Sequence, residues 1–239
     1  MTSPIRPTNG FTTSAAALRY WERRQAVVSN NLANASTDGF KAQRVFGQML
    51  DGALPIANAA TDLSMGTIRP TGNALDVALE RPGFLVVDTP AGERWSRGGA
   101  FQLDAGGRLA DAAGHVVMGE HGPIVVTEHD GHAANVSIDK DGAVSVDGVI
   151  RDRLRIERQG ADAPQHEGDT LFVPTAERTV VAPGDRGVRQ GALEDSNVST
   201  IGSMVDMIEI QRAYSAVQKA LTALDGTRGT CVNEIGKPV

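Results

Sequence analysis

Residues 196–224 read SNVSTIGSMVDMIEIQRAYSAVQKALTAL, and this stretch sets the architecture of the chain. Its apolar side chains recur every three or four residues, which predicts an amphipathic helix from Ser196 to Leu224. One unbroken seam consists of Met207, Ile210, Tyr214, Val217, Leu221 and Leu224. A second stripe, which overlaps the seam, consists of Ile201, Met204, Val205 and Ile208. Because one partner helix covers one seam, the two stripes indicate contacts with more than one partner.

The sequence also marks the ends of this helix. The candidate N-caps, whose short polar side chains can accept hydrogen bonds from free amides, are Asp195, Ser196 and Asn197. Gly226 and Gly229 are predicted to end the helix. Residues 230–239 show no apolar period and are interpreted as a tail. Cys231 lies in this tail and is the only cysteine, so an internal disulfide is excluded.

Another helix is predicted near the N-terminus, from about Thr12 to Ala35, where the sequence contains neither Gly nor Pro. Its apolar seam consists of Leu18, Trp21, Val28 and Leu32, and the polar Gln25 interrupts it. The two predicted helices stand at opposite ends of the sequence. Pairing them with each other is the simplest way to bury both seams.

The region between the helices is predicted to be antiparallel β structure. Short runs such as Phe84–Val87 and Ile124–Val126 are rich in strand-forming residues. Turn signals such as Asp141–Gly142 and Asp147–Gly148 separate runs of this kind. Many short strands joined by tight turns indicate an antiparallel meander or a barrel-like sheet.

The predicted fold class is therefore α+β, with a discontinuous domain of paired N- and C-terminal helices and a central antiparallel β-rich domain. The predicted segments are an N-terminal helical segment (1–35), an extended connector (36–74), a β-rich domain (75–190), a C-terminal helical segment (191–229) and a tail (230–239). The surplus stripe on the C-terminal helix then requires contacts with other molecules.

The composition argues against several classes of function. The net charge is −6, and an acidic chain with scattered Lys and Arg is a poor nucleic-acid binder. Aromatic residues make up 4% of the chain, which disfavours a surface that stacks bases or sugars. The sequence contains no phosphate loop, dinucleotide fingerprint or nucleophile elbow. We therefore predict no catalytic residues, no cofactor, no nucleic-acid partner and no small-molecule substrate.

Two stretches of the sequence are candidate metal sites. Asp139–Gly142 resembles the start of a calcium loop, but the twelfth position of such a loop is Ile150 rather than Glu, so a hairpin turn is the preferred interpretation. His121, His129 and His132 lie close together in the sequence, but their spacing matches no helical or finger pattern. They are interpreted as surface-loop histidines, and no metal ligand is predicted.

Residues 29–41, SNNLANASTDGFK, closely resemble the N-terminal signature of flagellar axial proteins, a family of rod, hook and hook-associated subunits. The signature residues are Asn30, Asn31, Leu32, Ala33, Asn34, Thr37, Gly39 and Phe40. Three further stretches resemble the same family: LDVAL at 75–79 followed by Gly83–Phe84, RWSRGGAFQLD at 94–104, and QGALEDSNV at 190–198 followed by MIEIQRAY at 207–214.

The resemblance implies a structural subunit of the bacterial flagellar basal-body rod, the drive shaft that transmits torque. It implies that the partners are other rod proteins, further copies of the chain and the flagellar export apparatus. It also implies type III export without a cleaved signal peptide, and a final place in the periplasmic rod. The runs at 34–37 and 76–79 resemble the proximal rod protein, and the run at 211–214 resembles the distal one. The connector between Lys41 and Leu75 is short for a distal rod protein, so the resemblance favours the proximal type. A distal rod or hook-type subunit is an alternative, and a peptidoglycan-cleaving enzyme built on paired carboxylates is a less favoured one.

Overall fold

The computed structural model describes residues 10–48, 56–126, 135–160, 163–168 and 170–235. Helix α1 spans Gly10–Ala33 and helix α2 spans Thr200–Ile235. Short strands and one 3₁₀ turn, Pro183–Asp185, lie between the two helices. Two helices combined with antiparallel strands confirm the predicted α+β class.

The strands are two to six residues long in the part of the chain that the structure describes. The first nine are β1 (Gln43–Gln48), β2 (Ile56–Thr61), β3 (Ile68–Pro70), β4 (Val77–Leu79), β5 (Phe84–Thr89), β6 (Gly92–Ser96), β7 (Phe101–Leu103), β8 (Leu109–Asp111) and β9 (Val116–Val117). The others are β10 (Val136–Ile138), β11 (Ala143–Val146), β12 (Val149–Arg153), β13 (Ile156–Gln159), β14 (Gln165–Gly168), β15 (Leu171–Val173), β16 (Arg178–Val180), β17 (Val188–Gln190) and β18 (Ala192–Glu194).

The chain divides into two units. The first unit contains α1, α2 and the two-stranded sheet of β1 and β2. The second unit consists of residues 34–42 and 61–198, and it contains the strands from β3 to β18. Both units are therefore built from segments that are distant in the sequence.

The largest sheet of the second unit runs in the order β14-β15-β6-β5-β9-β8-β7, and β13 joins it by pairing with both β5 and β16. A second sheet consists of β10, β11 and β12. At the end of the unit, β17 pairs with β4 and β18 pairs with β3, both antiparallel. The last strands of the unit thus pair with its first strands.

Strand β5 contributes to two buried apolar clusters, because successive side chains of a strand point to opposite faces. Leu85 and Val87 belong to the larger cluster, and both are at most 1% exposed. Phe84 and Val86 belong to the smaller cluster, in which the Phe84 ring stacks on Trp95 with 5.1 Å between the ring centroids. Strand β5 therefore lies at the centre of the core of this unit.

Two hairpins form where the sequence predicts tight turns. Asp147 and Gly148 connect β11 to β12, and both have positive φ angles, 53° and 82°. In the turn between β10 and β11, the Asp139 carboxylate accepts hydrogen bonds from the amides of Asp141 and Ala143, each at 2.9 Å. This carboxylate shapes the turn, so the segment that resembles a calcium loop is a hairpin, as predicted.

The structure corrects the prediction at the start of α2. The helix begins at Thr200, and its N-cap is Ser199, whose hydroxyl accepts a hydrogen bond from the amide of Gly202 at 3.1 Å. The three residues predicted as caps precede this position, and their polar groups bond elsewhere. The prediction failed because Asp195, Ser196, Asn197 and Ser199 are equally good caps by residue type.

The far end of α2 also differs from the prediction, because the helix continues through Gly226 and Gly229 to Ile235. Neither glycine adopts the positive φ that ends a helix. Glycine in a helix interior costs only about 1 kcal/mol, which does not by itself stop a helix. The hydroxyls of Thr222, Thr227 and Thr230 donate to the carbonyls four residues earlier, at 2.9–3.0 Å.

At the N-terminal end of the described chain, α1 covers almost the same residues as the predicted helix, shifted by two positions towards the N-terminus. Neither α1 nor α2 is both long and apolar enough to cross a membrane. The predicted connector, residues 36–74, contains β1, β2 and β3. Their sequences were not recognised as strands because β1 and β2, QRVFGQ and IANAAT, are mostly polar residues, Gly and Ala.

Candidate assembly surface

Helices α1 and α2 contact each other within the first unit. The guanidinium of Arg24 donates to the carboxylate of Asp206 at 3.2 Å, and the hydroxyl of Tyr214 donates to the carboxylate of Glu22 at 3.2 Å. Ile210, in the middle of the α2 seam, is completely buried. The seam is therefore covered within the chain itself around this residue.

The second stripe of α2 is left open to solvent. Ile201 is 78% exposed, and Met204, Val205 and Ile208 are 51–52% exposed. Apolar area gains about 25 cal/mol for each Å² that is removed from water. Four large apolar side chains at helical spacing therefore form a surface that is stabilised when another molecule covers it.

The remaining predicted packing residues divide by burial. Val28 of α1 is buried, at 7% exposure, and Leu224 of α2 is exposed, at 42%. The half-buried residues are Leu18, Trp21, Leu32, Met207, Tyr214, Val217 and Leu221. The guanidinium carbon of Arg24 lies 5.5 Å from the centroid of the Trp21 ring, a cation–π distance.

The signature residues Asn31 and Asn34, at the C-terminal end of α1, form hydrogen bonds with their side chains. Asn31 is buried, and its side-chain amide accepts a hydrogen bond from the amide of Gln43 at 2.9 Å and donates to the carbonyl of Gln43 at 2.7 Å. The Asn34 side chain accepts from the hydroxyl of Thr37 at 3.1 Å. Asn31 thus pairs with strand β1 as another strand would. The other signature residues of this helix end are Leu32, which is half-buried, and Asn30 and Ala33, which are exposed.

Gly39 and Phe40 of the signature lie in the second unit. Gly39 has φ +74°, and a Cβ there would lie 2.4 Å from the carbonyl carbon of Arg97. Only glycine fits this close approach of two backbones. Phe40 is completely buried, and its ring meets the His166 ring edge-on, with 5.8 Å between the centroids.

Three buried charges meet beside this contact, and we call them the charge triad: Lys41, Arg97 and Glu194. The ammonium of Lys41 lies 2.5 Å from Glu194 Oε1, and Arg97 Nη2 lies 2.6 Å from Glu194 Oε2. All three side chains are at most 3% exposed. Glu194 Oε1 also accepts a hydrogen bond from the amide of Gly66 at 2.8 Å. The triad joins the first, middle and last segments of the second unit.

Asn197, which is predicted as a helix cap, is a second cross-link in the same region. Its side-chain oxygen accepts from the amide of Ala42 at 2.7 Å, and its side-chain nitrogen donates to the carbonyls of Asp62 and Ser64 at 2.8 and 3.0 Å. Of the other two predicted caps, Asp195 pairs with Arg69 at 3.0 Å. These contacts hold the last residues of the second unit to its first residues.

Sequence reasoning did not identify the charge triad as a site. Each member lies in a stretch that resembles the family: Lys41 ends the signature, Arg97 precedes two glycines, and Glu194 follows two apolar residues. A charge set among small and apolar residues is a signal of burial, but sequence cannot show which buried charges meet. Burial lowers the pKa of Lys41 and of Arg97 below their ordinary values, although Glu194 opposes the shift in both.

The histidine segment is described only in part, since His129 and His132 lie outside the described residues. The ring of His121 is 85% exposed, and its Nδ1 lies 2.9 Å from the carboxylate of Asp152. This hydrogen bond raises the pKa of His121 above its ordinary value. The described residues contain no group of three His, Cys, Asp or Glu side chains that could hold a metal ion.

The charge triad and Asn197 hold segments of the second unit together, and the prominent open feature of the described helical unit is an apolar stripe. These features are typical of a structural subunit that assembles with other molecules.

Comparison with known proteins agrees with this class. Residues 11–41 match the family model of the flagella basal body rod protein, residues 78–146 match the flagellar hook protein FlgE/F/G D1 domain, and residues 189–235 match the flagellar basal body rod FlgEFG protein C-terminal model. The flagellar basal-body rod protein FlgF of Salmonella typhimurium is 34% identical, over 86% of this chain and 90% of the relative. FlgF of Caulobacter vibrioides is 30% identical, over 90% and 93%. The rod protein FlgG of Bacillus subtilis is 28% identical, over 91% and 96%.

The chain belongs to the flagellar basal-body rod protein family, of the FlgF/FlgG type. It is a structural subunit of the rod and not an enzyme.

Proposed function

We propose that the chain is a subunit of the proximal rod, in which α1 and α2 form one discontinuous helical domain that packs against neighbouring subunits. The proximal position is supported by the FlgF of Salmonella typhimurium, which is 34% identical to the chain, whereas the FlgG proteins of Buchnera aphidicola and Bacillus subtilis are 30% and 28% identical. Contacts between α1 and α2 within the first unit support the paired helices.

The single observation that carries the assembly role is the division of α2 into two faces. Ile210 of the seam is buried inside the chain, while Ile201, Met204, Val205 and Ile208 of the second stripe are at least half exposed. A monomer that covers one seam and leaves an apolar stripe open is stabilised by a helix from another subunit. The partners that we propose are other rod proteins and further copies of the chain. Contacts that repeat without closing produce a helical shaft.

Family membership also supports two proposals about the route of the protein. The chain is exported by the flagellar type III apparatus without removal of a signal peptide, and it is assembled in the periplasmic part of the basal body. The proposal about export can be tested on the protein recovered from rods. The N-terminal residue of the rod-bound protein, read by mass spectrometry, tests the first, because a cleaved signal would remove Met1 and its neighbours.

Imaging of purified basal bodies tests the position along the axis. A small tag inserted at Gly148, in the exposed turn between β11 and β12, should appear as density on the rod close to the inner membrane. Density at the outer part of the rod would assign the distal role instead. Density on the hook would assign a hook-type subunit, and either result would contradict the proximal position.

A further inference from the structure

We propose that a cavity in the second unit binds a carboxylate side chain of a neighbouring rod subunit. This inference rests on the proposed assembly of the chain into the rod. The cavity has a volume of about 270 Å³, and the residues that line it include Lys41, Arg97, Arg158, Leu63, Pro82 and Phe84. Three of these residues are cations, and the described lining contains no carboxylate.

The charge triad leaves this cavity with an excess of positive charge. Lys41 and Arg97 are both buried, and they share the single carboxylate of Glu194. A further carboxylate, that of Asp62, also acts on Lys41, but its influence on the pKa of Lys41 is smaller than that of Glu194. A buried charge without an equal and opposite partner is costly, because the protein interior solvates it poorly. An anion in the cavity would remove this imbalance.

Two hydrogen-bond donors are available to such an anion. The ammonium of Lys41 donates to the carbonyl of Ser64 at 2.6 Å and to Glu194 at 2.5 Å, which leaves one of its three N–H groups without an acceptor among the described residues. Arg158 is exposed and donates from Nε and Nη2 to the carbonyl of Pro82, at 3.3 and 3.2 Å, which leaves its Nη1 free of described acceptors. Lys41 and Arg158 are therefore the binding groups.

Arg97 attracts an anion in the cavity through its positive charge and not through a hydrogen bond. Its Nε and Nη2 bind Glu194, and its Nη1 donates to the carbonyls of Arg81 and Gly83 at 3.0 and 2.7 Å. A fully engaged guanidinium is held rigidly, so its positive charge is fixed beside the cavity. The cavity is thus preorganised for an anion without any movement of the triad.

The size and the walls of the cavity favour a side chain over a free metabolite. Sites for small molecules usually have volumes of about 300–1,000 Å³, so this cavity is below the common range. Leu63, Pro82 and Phe84 supply apolar wall, and the cations lie beside it. An Asp or Glu side chain has the matching make-up, a methylene stem with a charged end. The chain itself carries 29 Asp and Glu residues and a net charge of −6, so a neighbouring copy offers such side chains.

Reversal of the charge at Arg158 tests the proposal in assembled rods. Arg158→Glu repels an incoming carboxylate, and it leaves the triad intact because Arg158 bonds only to the carbonyl of Pro82 among the described residues. The matched control is Arg151→Glu, the same charge change at an exposed residue of β12 outside the cavity. We expect incorporation of R158E into basal bodies to fall about tenfold, and that of R151E to stay within about twofold of wild type. Arg158→Gln should give an intermediate loss.

Equal incorporation of R158E, R151E and the wild type would overturn the proposal while leaving the rod function standing. Failure of the wild-type chain itself to enter rods would overturn both. The monomer then distinguishes the source of the anion: acetate is titrated while the pKa of Lys41 is followed by NMR. If acetate raises that pKa but R158E assembles normally, the cavity holds a free anion, and the neighbouring-subunit source is wrong. Circular dichroism of each variant verifies that the fold is retained.

Discussion

Single charged residues decide how the second unit is held together. Glu194 is the one carboxylate shared by two buried cations, and it also accepts the amide of Gly66. A surface ion pair contributes little, because water screens it. A buried charge that loses its partner is different, since the remaining charge has no solvent to stabilise it.

Replacement of Glu194 by Gln is expected to lower the free energy of unfolding by about 3–5 kcal/mol, because Lys41 and Arg97 would remain buried without a counter-charge. Urea unfolding followed by circular dichroism measures this change. The control is Glu80→Gln, which removes an exposed pair 3.4 Å from Arg189 and should change stability by less than about 1 kcal/mol. Equal effects of the two substitutions would show that burial of the triad does not matter.

Glu93 provides a pH-dependent contribution at the same scale. A hydrogen bond from Arg155 holds the pKa of Glu93 below its ordinary value, against the effect of burial and with additional help from Arg178. A carboxylate with a lowered folded pKa stabilises the protein above its unfolded pKa, and this stability is lost as the pH falls through the folded pKa. In Glu93→Gln, the free energy of unfolding should therefore fall less between about pH 5 and pH 3 than in the wild type.

Unfolding titrations at several pH values check this slope. Glu209→Gln, which removes a carboxylate at an exposed position of α2, is the control. A Glu93→Gln variant with an unchanged acid limb would mean that the bonds to Arg155 and Arg178 add no stability.

At the scale of single residues, contacts between distant parts of the chain could not be predicted from the sequence. The stretches that contain Lys41, Arg97 and Glu194 were recognised, and Gly39 was expected to follow the first helix. The meeting of the three charges could not be predicted, because it depends on the pairing of segments more than 50 residues apart. Asn197 was misassigned for a related reason: its amide bonds to Ala42, Asp62 and Ser64, which are distant in the sequence.

At the level of elements, α2 has two apolar faces that differ in exposure. The face that contains Ile210 is covered inside the chain, and the face that contains Ile201, Met204 and Ile208 is open. Periodicity alone predicted both stripes. It could not show which of them the chain itself would cover, because both have helical spacing.

Two substitutions, two residues apart on different faces of α2, distinguish the buried face from the open one. Ile208→Glu places a charge on the open stripe, so the monomer should keep its stability within about 0.5 kcal/mol while assembly into rods is blocked. Ile210→Asp places a charge in the buried seam, so it should destabilise the first unit by more than about 3 kcal/mol as well as blocking assembly. The core of the second unit should stay folded in both variants.

Thermal unfolding of the monomers and motility in soft agar measure the two effects. The control is Gln211→Glu, a charge change at an exposed position next to the seam. Normal motility with Ile208→Glu would show that the second stripe makes no contact with another subunit.

The ends of the elements were less predictable than their existence. Gly226 and Gly229 were predicted to end α2, but the helix continues through both. Glycine can adopt a helical φ, and neither residue has a positive φ. The hydroxyls of Thr227 and Thr230 also donate hydrogen bonds to helix carbonyls. The strands β1 and β2 were missed because their residues have weak strand preference.

The molecule as a whole has the class that the sequence indicated, α+β, and the central antiparallel region was predicted correctly. Its topology was not predicted, because register and strand order depend on contacts between distant residues. The two closing pairs show this most clearly: β17 with β4 and β18 with β3 join residues 188–194 to residues 68–79.

The closing pairs can be tested with two truncated chains. A chain that ends at residue 187 lacks β17, β18 and Glu194, so β3 and β4 lose their partners and the buried cations lose their counter-charge. It should show no cooperative unfolding transition. A chain that ends at residue 198 keeps these strands and should retain a transition from the second unit. Cooperative unfolding of the shorter chain, followed by circular dichroism, would mean that the closing pairs are dispensable.

The late position of Glu194 and of its strand has a consequence for the timing of folding. Since the chain is made from its N-terminus, β17, β18 and Glu194 are added only after more than three-quarters of the residues have been joined. Loop closure over such a distance is slow, because its entropic cost precedes any gain from contacts. The second unit therefore cannot close during synthesis until its last strands have been made, whereas hairpins between neighbouring strands, such as β5 and β6, can form earlier.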